Sequence, residues 1–341
     1  MSSKNLFDYA TKELSQDAVL CYLFANYNDP KLSAVVVDLL NKFCNLNLSS
    51  TDIKEIKIQK QWKKIDLRVD IKIKGVNKKP IALFIEDKTG SNEHNQLKNY
   101  NQEIDKQSND YEIHKVYYKT SLILDEERAR IKEANENTNT DFPWQIFDIE
   151  NIWGILSNHQ NPKNLILAQY VEHINNRCNA CQNKVLPESN ESSIDKLKWL
   201  SFFEKVVRPK LEQNNFHCKL EIYQGHYVLL QIRVENKQDD KIPYLELRSS
   251  DCSDNNFVAR FSCYGIDDKK SKKSKKSKKE SFKEQMEKEL KPSSEFFIFQ
   301  KYEQQVACTP KNVTCSNSDD FVALVMKYAP VYGDLIIKCW K

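Results

Sequence analysis

The sequence predicts an α/β chain, α+β in the arrangement of its mixed sheet, followed by a second α+β domain. Three observations carry this. The apolar period changes from helical to alternating near residue 53. Strand and helix patterns then alternate as far as residue 170, and a polar stretch, NKVLPESNESS (183–193), separates them from a helix and a run of alternating strands. A length of 341 residues fits about two domains at roughly 150 residues each. The expected boundaries are 1–182, a linker at 183–193, and 194–341, with a disordered lysine-rich insertion at 267–280.

Taken in order, residues 3–28 read as helical, with Ser15 as N-cap, Asp17 in the first turn, and a stripe of Val19, Leu20, Leu23 and Phe24. Residues 31–45 repeat the helical period. IKEIKIQKQW alternates, and so does IDLRVDIKI, where Ile65, Leu67, Val69, Ile71 and Ile73 share one face and Asp66, Arg68, Asp70 and Lys72 the other. GVNKKP is a turn. PIALFIEDK is a continuous apolar run ending in charge, which suits a central strand buried on both faces. A helix over 92–104, a strand over 115–124, a charged helix in DEERARIKEAN, a short strand and helix in PWQIFDIENIWGIL, and an amphipathic helix in NLILAQYVEHINN complete the first domain. The second opens with a helix over 195–213. The strands CKLEIYQ, YVLLQIRVEN, PYLELRSS and FVARFSCYG follow, then a helix over 281–290, a strand in SEFFIFQKY and a closing helix and strand.

An apolar fraction of 40% and an aromatic fraction of 11% are enough for a sizeable core and exclude a mainly disordered chain. No apolar run reaches the 18–20 or so residues that span a bilayer, so no membrane partner is expected. The first residues lack a basic-then-apolar leader, so the default expectation is the cytoplasm. The net charge of +4 comes from KKSKKSKKSKK (269–279); without its eight lysines the balance is −4, and bulk charge is no argument for nucleic-acid binding. Residues 51–120 alone hold 15 basic and 11 acidic side chains. Ten cysteines in a chain of this length, without an export signal, are expected as thiols. Cys178 and Cys181 form a CxxC near His173, but no second ligand pair completes a structural zinc site, and a helix end is the better reading.

The chemistry concentrates between Ile65 and Tyr100. Alternation puts Glu86 and Lys88 on one face of their strand and Asp87 on the other. If the strands that hold Asp66 and Glu86 are antiparallel neighbours, Asp66 falls beside Glu86 and Lys88. Hard carboxylate oxygens at that point suit Mg²⁺ or Mn²⁺ with water in the remaining positions. Such a metal lowers the pKa of a bound water, and a lysine orients that water or stabilises developing negative charge. Two acids and a lysine at strand ends also form ordinary solvated ion pairs worth little.

These residues resemble a known signature. Asp66, 19 intervening residues and Glu86-Asp87-Lys88 are similar to the D…(D/E)xK pattern of the PD-(D/E)XK nuclease superfamily. Lys64–Leu67 resembles its IDL strand, Phe84–Lys88 its IE(N/D)K strand and Gln96–Tyr100 the QLxxY helix of one branch. Glu13–Ala18 resembles the ELSQDAF first helix of that branch, and Tyr117–Thr120 its YYKT strand. The resemblance covers about residues 5–170, and the proline of the family name has no counterpart before Asp66. It implies a restriction-endonuclease-like core: a mixed four-stranded sheet flanked by helices in the order α-β-β-β-α-β.

It also implies roles. Asp66 and Glu86 would bind Mg²⁺ (or Mn²⁺), and Lys88 would act on the water or the transition state. Gln96 and Tyr100, four apart on one helical face, would position the phosphate backbone or steady Lys88; Tyr100 also reads as a core aromatic. Asp17 and Glu55 are further candidates near the site. Gln59 and Gln61 are either bonded there or exposed. The implied activity is metal-dependent hydrolysis of phosphodiester bonds leaving a 5′-phosphate, with DNA the first substrate to consider and defence or repair the setting by analogy. Lys54, Lys57, Lys60, Lys63, Lys64 and Lys98 are the candidate phosphate contacts, with the lysine-rich run a further, nonspecific one.

The alternative is a catalytically silent, nuclease-like binding protein for nucleic acid or protein; the C-terminal domain would be the surface for a protein partner or homo-oligomer. No GxxxxGK(S/T) or GxGxxG loop and no GxSxG elbow occurs. His94 and His114 have no role in this chemistry.

Overall fold

The computed structural model describes the chain except residues 1–4, 10–12, 76–78, 91–94, 137–141, 160–162, 224–225, 235–242, 263–277, 291–296, 299–304, 310–312 and 340–341. The chain divides into two units, Met1–Cys181 and Gln182–Lys341, one residue from the boundary read in the sequence.

The first unit runs α1 (Leu6–Tyr9), α2 (Glu13–Ala25), α3 (Ser33–Cys44), β1 (Ile53–Trp62), β2 (Ile65–Ile73), β3 (Ile81–Lys88), α4 (Gln96–Asp105), β4 (Glu112–Lys119), α5 (Asp125–Glu136), β5 (Trp144–Phe147), α6 (Ile149–Leu156) and α7 (Leu165–Cys181). Its five strands form one mixed sheet in the order β1-β2-β3-β4-β5. The pairs β1/β2 and β2/β3 are antiparallel, and β3/β4 and β4/β5 are parallel. The succession of helices and strands along the chain read from the residues holds; the sheet has one strand more than the resemblance implied, because Trp144–Phe147 extends it.

All eight residues of β3 are buried, as a central strand covered on both faces requires. One face of the sheet packs Ala82, Phe84, Ile113 and Tyr117 against Leu97, Tyr100 and Ile104 of α4 and Ile131 and Ala134 of α5. The apolar face of β2 and β3 lies under α2, whose Val19, Leu20, Leu23 and Phe24 are buried. In α3, apolar residues at helical spacing (Val35, Val36, Leu39, Leu40, Phe43) fill the core, and Asn45 ends the helix in the left-handed conformation. A capping box of Asp148 and Asn151 starts α6.

Four local expectations change. Ser15 is no N-cap: α2 already starts at Glu13, so Ser15 lies within its first turn and Asp17 is buried inside the helix. The α4 helix is described from Gln96, after Asn95 in the left-handed conformation, and the expected start at 92–94 lies outside the described residues. β4 begins at Glu112 and ends at Lys119, where Thr120 leaves the ladder. In β2, Arg68 is buried although it alternates with apolar residues. Its guanidinium lies 5.0 Å from the Trp62 ring centre, 5.6 Å from Phe84 and 4.8 Å from Tyr111, with Asp70 at 2.8 Å.

The second unit contains α8 (Ser193–Phe202), a π-helical turn (Phe203–Val207), α9 (Arg208–Glu212), β6 (Phe216–Tyr223), β7 (Tyr227–Val234), β8 (Tyr244–Arg248), α10 (Ser249–Cys252), β9 (Ala259–Ser262), α11 (Lys278–Leu290), β10 (Phe297–Ile298), β11 (Gln305–Cys308) and α12 (Ser318–Cys339). Ser192 and Asp195 form the capping box that starts α8. The strands make a six-stranded antiparallel sheet, ordered β10-β11-β9-β8-β7-β6. The closing strand and helix come in the order β11, then α12. The lysine-rich insertion lies outside the described residues up to 277; Lys278–Glu280 open α11. Cys178 and Cys181 are buried at the end of α7. The eight cysteines with described side chains are unbridged thiols. Among the described residues, no helix is long and apolar enough to cross a membrane.

Candidate metal centre on the first sheet

The β2/β3 register fixes the site. Leu67 lies opposite Ile85 in an antiparallel pair, so the next opposed positions are Asp66 and Glu86, with side chains on one face. The Asp66 carboxylate is anchored twice. Its Oδ2 accepts the Asp87 main-chain N–H at 2.9 Å, and its Oδ1 accepts from Gln61 Nε2 at 3.1 Å. Gln61 is therefore a site residue, and Gln59 is exposed.

Glu86 and Lys88 are both buried, with Lys88 Nζ 2.6 Å from Glu86 Oε1. The other carboxylate oxygen, Glu86 Oε2, is buried and receives no hydrogen bond among the described residues. Burial raises the Glu86 pKa to about 8; Lys88 opposes the shift, and the neighbouring Asp66 carboxylate reinforces it. Desolvation outweighs the ion pair here because Glu86 is almost wholly removed from water while Lys88 contacts one of its two oxygens.

Two neighbouring carboxylates, Glu86 with a buried oxygen that receives no hydrogen bond among the described residues, make a place where a cation would be favourable. The donor set is all hard oxygen and fits Mg²⁺ or Mn²⁺, which commonly take one or two protein carboxylates and keep several waters. Among the described residues no cluster of three or more His, Cys, Asp or Glu side chains forms, so the set does not suit a closed structural zinc site.

The parallel β3/β4 register places Glu86 beside Tyr117 and Lys88 beside Lys119. Lys119 is buried and paired with Glu127 of α5 at 2.5 and 2.7 Å, and Tyr117 donates to the same carboxylate at 2.5 Å. Burial, and secondarily the Lys88 charge, lowers the Lys119 pKa against the pull of Glu127. This second ion pair was missed in the sequence. The signal was present for Lys119, two residues from Tyr117 on an alternating strand, but Glu127 sits in a charged run that reads as a solvated helix face.

The remaining candidates separate. Tyr100 is a core residue whose hydroxyl donates to the Lys64 carbonyl at 3.1 Å, so it braces the hairpin turn just before Asp66. Gln96 opens α4, half-buried, and no hydrogen bond joins it to Asp66, Glu86 or Lys88 among the described residues. Asp17 is buried on α2, the helix that packs on the other face of β2 and β3. Glu55 is not in the site. It pairs with Lys72 at 2.9 Å near the opposite end of the β1/β2 hairpin, six residues along β2 from Asp66.

Of the candidate phosphate contacts, Lys60, Lys63 and Lys64 lie at the Asp66 end of that hairpin and are exposed, whereas Lys54 and Lys57 lie toward its far end. Lys98 pairs with Glu133 at 2.6 Å. His114 pairs with Glu112 at 3.2 Å, and His94 lies outside the described residues. His173 is half-buried beside Phe7, and burial holds its imidazole well below the ordinary pKa.

No family model matches this chain, and no curated protein or solved structure matches it either.

Proposed function

We propose that the first unit is a divalent-metal-dependent nuclease of the PD-(D/E)XK type that hydrolyses phosphodiester bonds, with DNA as its substrate. The observation that carries this reading is the convergence of Asp66, Glu86 and Lys88 at the ends of β2 and β3, where Glu86 Oε2 has no donor among the described residues. Asp66 and Glu86 would hold Mg²⁺ or Mn²⁺. Once bound, the metal lowers the pKa of a water and neutralises charge on a phosphoryl oxygen.

The chain's own groups have separate tasks. The Asp87 N–H and the Gln61 amide fix the Asp66 carboxylate, so little reorganisation is needed when it takes a ligand. Lys88 starts within reach of Glu86 and carries the positive charge that stabilises negative charge developing on the phosphate or orients the attacking water. Lys60, Lys63 and Lys64 would meet the phosphate backbone.

The test is cleavage of supercoiled, linear and single-stranded DNA with Mg²⁺ or Mn²⁺, comparing wild type with Glu86→Ala and Lys88→Ala. Metal-dependent cutting that both substitutions abolish is expected. Equal cutting by the variants, or none by wild type on any substrate, counts against the reading.

A further inference from the structure

Three of the segments that carry the family resemblance supply side chains for which the proposed chemistry has no use: Gln16 in ELSQDA, Asp87 in IEDK and Thr120 in YYKT. They meet behind the sheet, on the face opposite Glu86 and Lys88. Gln16 Nε2 donates to Asp87 Oδ1, and the Thr120 hydroxyl donates to Gln16 Oε1 at 2.7 Å. Gln16, Asp87 and Thr120 are 4%, 0% and 0% exposed.

Arg177, buried on α7, closes the network. Its Nε donates to the Thr120 carbonyl at 2.6 Å and its Nη2 to the Thr89 carbonyl at 2.7 Å. The Thr120 N–H in turn donates to the Lys88 carbonyl at 3.0 Å. The chain of contacts thus grips the main chain immediately after Lys88 and after Lys119. It also grips the side chain of Asp87, the residue whose N–H holds Asp66.

A carboxylate and a guanidinium in a dry core are expensive to desolvate, and apolar residues of similar shape would often serve stability as well or better. A connected polar network nevertheless fixes geometry. Here it fixes the one peptide that lies between two site residues.

We infer that Gln16, Asp87, Thr120 and Arg177 are positioning residues for the metal-holding carboxylates, fixing from behind the sheet the Asp87 N–H that orients Asp66 and the peptide that carries Lys88. This rests on the nuclease reading for what the carboxylates hold. A network of this kind acts on metal affinity and turnover and leaves DNA binding unchanged.

The experiment measures Mn²⁺ affinity by calorimetry well below the melting temperature, with Tm, kcat and KM alongside, for wild type, Asp66→Ala, Gln16→Met, Thr120→Val and Thr120→Ser. Gln16→Met and Thr120→Val are expected to weaken Mn²⁺ binding about 10- to 100-fold, the range seen for groups that orient metal ligands. They lower kcat while KM for DNA stays within about twofold, and Thr120→Ser restores both quantities. Should Gln16→Met fail to fold, Thr120→Val, which keeps the side-chain shape, carries the test. Variants with a lowered Tm but wild-type Mn²⁺ affinity overturn the inference and leave the nuclease reading standing. A wild type that binds Mn²⁺ through Asp66 yet cuts nothing defeats the nuclease reading, while the affinities of Gln16→Met and Thr120→Val still decide the positioning role. A wild type that binds no Mn²⁺ overturns both.

Discussion

The Asp66 carboxylate accepts the main-chain N–H of Asp87 at 2.9 Å across the antiparallel pair β2/β3. A side chain on one strand is thereby oriented by the peptide that separates Glu86 from Lys88 on the next. The bond needs an oxygen at that position but not a charge, which separates two substitutions. Asp66→Asn retains an acceptor for Asp87, and its melting temperature is expected to stay close to wild type. Asp66→Ala loses the acceptor and should be destabilised by about 1 kcal/mol. Both remove the charge of the proposed ligand, so under the nuclease reading both should slow metal-dependent cleavage roughly a hundredfold or more, equivalent to about 3 kcal/mol. Thermal melts together with plasmid cleavage check this; Asp66→Asn with wild-type cleavage would sink the assigned role.

Glu86 makes stability depend on pH in a definite direction. Its folded-state pKa, about 8, lies above the 4.5 of an ordinary glutamate in the unfolded chain. The folded chain therefore binds the proton more tightly. This contribution is fully present below about pH 4.5 and is lost as pH rises through 8. Without divalent metal, wild type should lose stability relative to Glu86→Gln between pH 5 and 9, by an amount on the order of a few kcal/mol. If Glu86 holds the proposed metal, Mn²⁺ should restore wild type at pH 9 and leave Glu86→Gln unchanged. Urea midpoints at pH 5, 7 and 9 decide it, and parallel curves for the two proteins would contradict the assignment.

The contrast between Glu86 and Glu55 marks what the sequence made legible. Alternation and the short turn after Ile73 set Asp66 beside Glu86 once the two strands pair as antiparallel neighbours, because a strand has period two and such a neighbour reverses direction. Glu55 lies on an equally clear strand, yet register alone decides its distance, and the two-residue hairpin at Lys63–Lys64 sends it to the far end. Arg68 lies on the face that alternation assigns it, with Asp66 and Asp70, but alternation reports period and not partners; Trp62, Phe84 and Tyr111 bury it there. Glu127 and Gln16 were unreadable for a related reason. Each is a polar residue on a helix whose burial depends on what the helix packs against, which is tertiary information.

The Lys119–Glu127 pair makes a prediction independent of nuclease activity. Both side chains are 1% exposed. Removing the carboxylate leaves a buried ammonium without its main counter-charge, and Glu127→Ala should cost about 3–5 kcal/mol. Replacing both partners with apolar residues, as in Lys119→Met with Glu127→Leu, should recover much of that loss, since the desolvation of both charges disappears together. Denaturant unfolding of the two single variants and the double variant measures the coupling. A double variant as unstable as the sum of the singles would mean that the pair contributes no coupling.

The hairpin turn offers a joint test of stability and of the proposed nucleic-acid binding. Trp62 pairs with Ile65, which leaves Lys63 and Lys64 as a two-residue loop, with φ of 52° and 75°. Positive φ at both positions matches the twist of the strands but suits Asn-Gly far better than two side chains with full Cβ sterics. Lysines at this point carry about 1 kcal/mol or more of backbone strain each, and, exposed two and three residues from Asp66, they would give that strain a use in the proposed binding. Lys63→Asn with Lys64→Gly should therefore raise the melting temperature while weakening DNA binding. If both lysines neutralise phosphates, the slope of log K against log salt should become shallower by about two. Melting curves and binding isotherms across a salt series read the two effects separately. A variant that is more stable yet binds DNA with an unchanged salt slope would remove the turn lysines from the binding surface.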